Sequence, residues 1–360
     1  MNSPQSDALN PQSAIRNPQL ENSRFIRACK GLPTDCTPIW LMRQAGRYMP
    51  EYQAVRAGRS FLELCKTPEL AAKVTLDAQR ILGVDAAILF ADLLPILETV
   101  GMKLEYLEGE GPKLSPPIRE AADVDRLIER DPVESMPFVY DAIRIIRKEL
   151  PADIPLIGFA GAPFTLAAYM IEGESSRNFL HTKTLMFSDR GAWHALMGLI
   201  SRVVSQYLNA QIDAGVQAVQ LFDSWVGTLA PEDYREFVLP HSYAVLQSIK
   251  GRVPVIHFGV GTSTLLPFMA AAGGDVMGLD WHTPIASTRE KLGFKAVQGN
   301  LDPCTLFAPR DELKRKAMQV LDDAGDNPGH IFNLGHGILP KTPVDNVKFL
   351  VDFVHESTRR

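Results

Sequence analysis

The chain has 360 residues, 46% of them apolar and 22% charged, the profile of a soluble globular protein with a sizeable core in one large domain or two ordinary ones. A formal net charge of −5 and a pI near 5.9 leave no basic stripe to supply the phosphate attraction that nonspecific nucleic-acid binding needs. The four cysteines, at 29, 36, 65 and 304, form no Cys-x-x-Cys and have no His at zinc spacing, which excludes a disulfide framework and a structural zinc site and suits a reducing cytosol.

The first 22 residues, MNSPQSDALNPQSAIRNPQLEN, lack the apolar run of a secretory signal, and their single Arg16 is sparse for a transit peptide. Their wealth of Asn, Gln, Pro and Ser predicts a disordered extension over 1–22, with one domain over 23–360. Short apolar runs then recur at 38–42, 86–91, 155–160, 218–222, 254–258, 276–279, 296–298 and 331–334, eight candidate strands. Most are apolar on both faces, as parallel strands buried on both sides are. Helical stretches lie between them. One, at 68–82, has Thr67 as a candidate N-cap, Pro68 at the first helical position and Gly83 just past its end. Others are predicted at 189–214, 231–249 and 311–324.

Eight alternating units predict an α/β protein, a (β/α)₈ barrel rather than a doubly wound sheet. A barrel needs roughly 250 residues. The surplus sits mainly at 93–154, after the second strand, where 104–114 reads as a β-hairpin and two helical stretches follow Pro116 and Pro117. The 18 uncharged residues at 154–171 are long enough to raise a membrane helix. Pro155, Gly158, Gly161 and Pro163 break them, so a strand, a tight turn and a helix start are predicted, and no membrane association.

Barrel enzymes build their sites on the C-terminal ends of the strands. Here those ends carry Arg43 and Arg47, Asp92, Tyr169, Asp223 and Ser224, His257, Asp280, Asn300 and His336. Singly, His257, Asp280 and Asn300 read better as loop caps or satisfied core groups. As a ring around one rim, the set predicts an active site.

The segment PIWLMRQAGRYMPEYQAVRAGR, 38–59, holds Arg43, Arg47, Arg56 and Arg59 against one acid, Glu51, a local charge of +3 in an acidic chain. Guanidinium stays protonated and matches carboxylate or phosphate two bonds at a time, so this segment is predicted to grip an anion. Asp92 stands among Ala91, Leu93, Leu94 and Pro95. A carboxylate in apolar surroundings needs hydrogen-bond donors or a cation. Two readings follow: a structural ion pair with Arg43 or Arg47, or a counter-ion and acceptor for a ligand's N–H groups.

Two long motifs, PIWLMRQAGRYMPEY at 38–52 and GFAGAPFTLAAYMIEG at 158–173, resemble the uroporphyrinogen decarboxylase family of haem and chlorophyll biosynthesis. The spacing of LFADLL, LFDSWVG and NLGHGILP agrees, and the resemblance covers about 23–355. It implies a single-domain (β/α)₈ barrel, a cytoplasmic homodimer with its clefts near the interface, and no cofactor or metal. The implied reaction removes carbon dioxide from the four acetate side chains of uroporphyrinogen III, giving coproporphyrinogen III. Carried onto matching positions, the substrate-binding set is Arg43, Gln44, Ala45, Gly46, Arg47, Arg56, Phe90, Asp92, Phe159, Tyr169, Ser224 and His336. Asp92, Arg43, Tyr169 and His336 are the implied catalytic residues.

The substrate makes sense of them, since it carries eight carboxylates for the arginines and four pyrrole N–H groups for Asp92. The proton donor stays open between Arg43, a poor acid, and His336, whose ordinary pKa suits acid catalysis better. Two other readings are carried forward. One is a zinc-dependent, cobalamin-linked methyltransferase of the same fold, whose His-x-Cys element is matched here only by His257-Phe258-Gly259. The other is a non-catalytic tetrapyrrole-binding protein.

Overall fold

Strands buried on both faces form the centre of the protein, seen in a computed structural model that describes residues 17–107 and 111–360. In chain order they are β1 (Ala87–Ile88), β2 (Lys103–Leu107), β3 (Gly111–Ser115), β4 (Leu156–Gly161), β5 (Ala218–Asp223), β6 (Val255–Gly259), β7 (Val276–Gly278), β8 (Ala296–Leu301) and β9 (His330–Leu334). β2 and β3 pair antiparallel as a separate hairpin. The other seven are parallel, in the order β1-β4-β5-β6-β7-β8-β9, with helices packed outside.

The stretch 38–42, predicted as the first strand, is extended but joins the sheet through one bridge, Ile39 to Phe332. Its backbone groups explain the difference. Pro38 has no N–H to give. Ile39 N–H goes to the Asp85 carboxylate at 2.7 Å, Leu41 N–H to Gln44 Oε1 at 3.2 Å, and Met42 N–H to Asn333 Oδ1 at 3.1 Å. Side chains therefore take donors that a ladder would use. Phe332 N–H still reaches Pro38 O at 2.8 Å, and Asp85 N–H reaches Ile39 O at 2.8 Å. The segment thus lies between β9 and the approach to β1, and closes the barrel as its eighth stave.

Asp85 anchors that stave at the end of the barrel opposite the strand C-termini. Besides Ile39 it accepts from Arg24 Nη1 at 3.1 Å and contacts His355 Nε2 at 2.7 Å. It therefore ties helices Arg24–Cys29 and Val344–Ser357 to the closing segment. Inside the barrel Trp40 Nε1 donates to Gln298 Oε1 at 2.9 Å, and Gln298 Nε2 donates to Gln220 Oε1 at 3.0 Å. The buried indole N–H is satisfied by this relay.

The helix Pro68–Leu82 has the predicted bounds, with Gly83 left-handed at φ 68°. Thr67 does not cap it, because its hydroxyl donates to Glu63 O at 2.8 Å. The helix expected at 231–249 is two, Pro231–Phe237 and Leu239–Ser248. Pro240 has no N–H for the carbonyl of Glu236, and its ring would clash there, so the chain breaks at Val238. At the N-terminus, Asn17 caps a short helix Pro18–Glu21 and Leu20 is buried. Residues 17–22 therefore belong to the fold and not to an extension. An N-cap followed by Pro was the local signal. The remainder of that predicted extension, 1–16, lies outside the described residues.

Among the described residues no helix is long and apolar enough to cross a membrane. The stretch 154–171 divides into β4 and the helix Pro163–Glu172.

Candidate active site

The closing stave ends in Arg43, whose φ of 62° puts it in the left-handed region and turns the chain outward. Its side chain runs across Gly337, where a Cβ would stand 2.7 Å from Arg43 Cγ. Arg43 and Arg47 are exposed and Arg56 is half-buried. Among the described residues none of the three meets a carboxylate within ion-pair distance. Gln44 is different. It is buried, its amide binds Leu41 N–H and Ala86 O, and its carbonyl accepts Tyr48 Oη at 2.7 Å. It supports the loop and offers the cleft no free polar group. Ala45 and Gly46 are half-buried on the same turn.

Asp92 follows β1, whose ladder stops when Thr75 Oγ1 takes Phe90 N–H at 2.9 Å. Asp92 Oδ1 accepts Leu94 N–H at 3.0 Å. It makes no ion pair, so the structural-pair reading with Arg43 or Arg47 does not hold among the described residues. Burial pushes its pKa up, opposed by the Tyr106 hydroxyl, the Leu94 N–H and the field of Arg43. Tyr106 comes from the hairpin, and its buried hydroxyl faces Asp92 but, among the described residues, stands just outside strict hydrogen-bond distance of a partner. Burial and the neighbouring Asp92 charge push that phenol's pKa up. Tyr169 is also pushed up, to about 12, by burial and then Asp92, with Arg43 opposing. Asp92, Arg43 and Tyr169 thus share one electrostatic environment.

Aromatic rings wall the cleft. Phe90 lies 5.6 Å from Tyr52 and 6.1 Å from Phe61. Phe159 meets Phe222 edge-on at 5.6 Å. Ser224 is half-buried directly after β5, and its neighbour Trp225 stacks on Tyr169. His336 follows β9, between two glycines that serve close approach. Gly335 packs on the Asp280–Trp281 backbone, and Gly337 underlies Arg43. Burial and then the Arg43 charge push the His336 pKa down, which favours the neutral imidazole.

Four members of the predicted ring do other work. His257 lies at the outer face of β6, against the helix Leu266–Ala272, since a Cβ on Gly274 would touch its Cβ at 3.2 Å. Strand alternation puts its neighbour Phe258 inward, onto Phe222. His257 is therefore outside the cleft, buried with both ring nitrogens unpaired among the described residues and its pKa pushed down to about 4 by burial. Asp280 caps its own turn through His282 N–H and Thr283 Oγ1. Asn300 donates to the carbonyls of Asp280 and Thr283. Asp223, next to Ser224, is fully buried, with Oδ1 accepting from Thr165 Oγ1 at 2.7 Å and Oδ2 unpaired among the described residues. Burial raises its pKa to about 7.

Sequence reading missed Tyr106 and Trp225. Trp225 stood inside LFDSWVG, where an aromatic reads as core, and nothing local places Tyr106 over Asp92. Chemically, the rim combines unpaired guanidinium groups with a lone carboxylate lined by phenols. It can hold a ligand that has anionic arms and N–H donors at its centre.

The family model described as uroporphyrinogen decarboxylase (URO-D) matches residues 20–357, starting inside the helix Pro18–Glu21. A uroporphyrinogen decarboxylase of Sorangium cellulosum is 55% identical over 340 residues, 94% of this chain and 97% of that one. Another, from Trichlorobacter lovleyi, is 53% identical over 341 residues, 94% of this chain and 100% of that one. Among solved structures, a methyltransferase from Methanosarcina mazei superposes with TM-score 0.77 at 22% identity, covering 93% of this chain and 98% of that one. At that identity the likeness shows the fold alone.

Proposed function

This chain belongs to the uroporphyrinogen decarboxylase family, and on that premise we propose that it converts the four acetate side chains of uroporphyrinogen III to methyls, giving coproporphyrinogen III without a cofactor. The observation that carries this reading is Asp92, a carboxylate beside Arg43 and Tyr169 yet paired with no cation. Four pyrrole N–H groups would satisfy it and bring its pKa down, keeping it ionised under the ring. Arg43, Arg47 and Arg56 would take the peripheral carboxylates, with Ser224 and Tyr169 fixing individual arms.

Decarboxylation needs somewhere for an electron pair to go. Protonating the pyrrole carbon beside an acetate makes the ring cationic. The bond to the carboxylate then breaks, its electron pair enters the ring system, and carbon dioxide leaves. Reprotonation at the former acetate carbon gives the methyl, and loss of the ring proton restores the pyrrole. Asp92 stabilises the cation more than the neutral ring, and that difference lowers the barrier. The burial and Arg43 charge that favour a neutral His336 suit it to donate a hydrogen bond to a substrate carboxylate.

We also propose a cytoplasmic homodimer. The test is purified protein with uroporphyrinogen III under anaerobic conditions, with carbon dioxide and products quantified and the oligomer sized by sedimentation. Four carbon dioxide per ring and accumulation of coproporphyrinogen are expected. Binding without carbon dioxide release would leave a tetrapyrrole carrier, and zinc-dependent methyl transfer would leave the methyltransferase reading.

A further inference from the structure

The reaction just described makes no use of the aromatic stack beside Tyr169. Tyr169 and Thr165 stand one turn apart on the helix Pro163–Glu172 and so share a face. Both reach the residues that follow β5. The Tyr169 ring stacks on Trp225 with centroids 3.7 Å apart and planes inclined by 28°. Thr165 Oγ1 accepts Trp225 N–H at 3.3 Å while donating to Asp223. The indole also meets Phe179 edge-on, at 5.1 Å and 62°. Phe179 precedes the helix Leu180–Ser188, from which Lys183 donates to Thr228 O at 2.7 Å. Two helices therefore bracket the segment 223–228, and Ser224 lies within it.

We propose that Trp225 is a positioning residue for this reaction: held by Thr165 at its backbone and by Phe179 at its ring, it fixes the Tyr169 phenol in the cleft. The inference rests on the reading of Tyr169 as a substrate-contacting residue. Rotation about the first side-chain torsion would carry the Tyr169 hydroxyl several ångströms, and among the described residues packing rather than a hydrogen bond opposes it. A planar partner at stacking distance removes that freedom and leaves the hydroxyl to the ligand. The anchor on Thr165 registers the indole to the helix that carries Tyr169, so the two rings keep their relation if either element shifts.

The test is a double-mutant cycle: Trp225→Leu and Trp225→Phe, each in the native background and in the Tyr169→Phe background, with kcat/KM for coproporphyrinogen formation and thermal unfolding measured together. In the native background Trp225→Leu is expected to lose about tenfold or more, and Trp225→Phe, which keeps a smaller ring, about two- to threefold. In the Tyr169→Phe background both should cost almost nothing further. Equal losses in the two backgrounds, or none in the native one, would overturn the proposal, because the indole would then act only as packing. Should Trp225→Leu fail to fold, Trp225→Phe carries the cycle, with a loss confined to the native background required. Wild-type turnover separates the two failures: no product from wild type sinks the decarboxylase reading, whereas product with background-independent losses sinks only the role of Trp225.

Discussion

Gly337 lies directly beneath Arg43, so close that a Cβ there would stand 2.7 Å from Arg43 Cγ and 2.9 Å from Arg43 Nε. The obstacle to a larger residue is an exposed, flexible side chain, not backbone. Gly337→Ala should therefore move the guanidinium and leave the fold in place. We expect KM to rise about tenfold, the worth of a misaligned charge-assisted pair, with the melting temperature within a few degrees of wild type. Unchanged kinetics would mean that Arg43 reaches its ligand from more than one position.

Asp92→Asn keeps shape and removes charge. Its amide can accept through oxygen, but its NH₂ would face donors, and a cationic ring would lose its partner. Loss of one preorganised electrostatic group costs about 10²–10³ in rate, roughly 3–4 kcal/mol. Asp92→Glu keeps the charge one methylene away and should retain part of the turnover. The check is kcat per folded molecule for both variants, and normal turnover in Asp92→Asn would end the counter-ion role.

Asp223 gives a pH signature in stability. Its folded pKa is raised to about 7, while an unfolded Asp titrates near about 3.9. Between those values the folded chain holds a proton that the unfolded chain has released. Stability from this group thus falls as pH rises from about 4 and levels off above about 7. Asp223→Asn cannot ionise, so its melting temperature relative to wild type should climb between pH 5 and pH 8. A difference that stays flat over that range would show that the carboxyl is not raised.

Asp85 should matter to stability because it joins three segments. Asp85→Ala strands the buried Ile39 N–H and leaves His355 without its partner, while Arg24 keeps its pair with Asp35, at a cost of about 1–3 kcal/mol. Asp85→Asn retains an acceptor and should lose less. Urea unfolding of the two variants measures the difference, and equal losses would assign the effect to charge alone.

Two truncations separate the tail from the fold. Removing 1–22 deletes buried Leu20 and the Asn17 cap, whereas removing 1–16 spares both. The longer deletion should cost about 2 kcal/mol more. Indistinguishable melting curves would place the helix Pro18–Glu21 outside the cooperative unit.

How much of this was legible beforehand depended on whether the deciding contact was local. The bounds of Pro68–Leu82 could be read because Pro68 and Gly83 stand at its own ends. The break at Val238 was visible in Pro240, which stands inside the stretch predicted as one helix. Alternation along β6 could have sent His257 outward from the start. The closing stave was read as the first strand, but that side chains take most of its N–H groups could not be seen, because the partners Asp85 and Asn333 lie 46 and 291 residues away. Arg43 and Asp92 stood out by chemical type in their surroundings. Trp225 and Tyr106 are placed by tertiary packing that no short stretch encodes.

The eighth stave has a consequence for how this protein would fail. Strands in a ladder let go together, whereas a segment latched by separate side chains can open alone at lower cost. The latches at Asp85, Gln44 and Asn333 hold the chain that leads directly into Arg43 and Arg47. Mild denaturant or warmth would then free the arginine loop while the remaining staves stay paired. Amide exchange in the loop 43–47 would outpace that at β5 and β8, and turnover would fade along a curve displaced from the unfolding curve. Two clocks would run in one molecule, and the one that governs catalysis would be the faster.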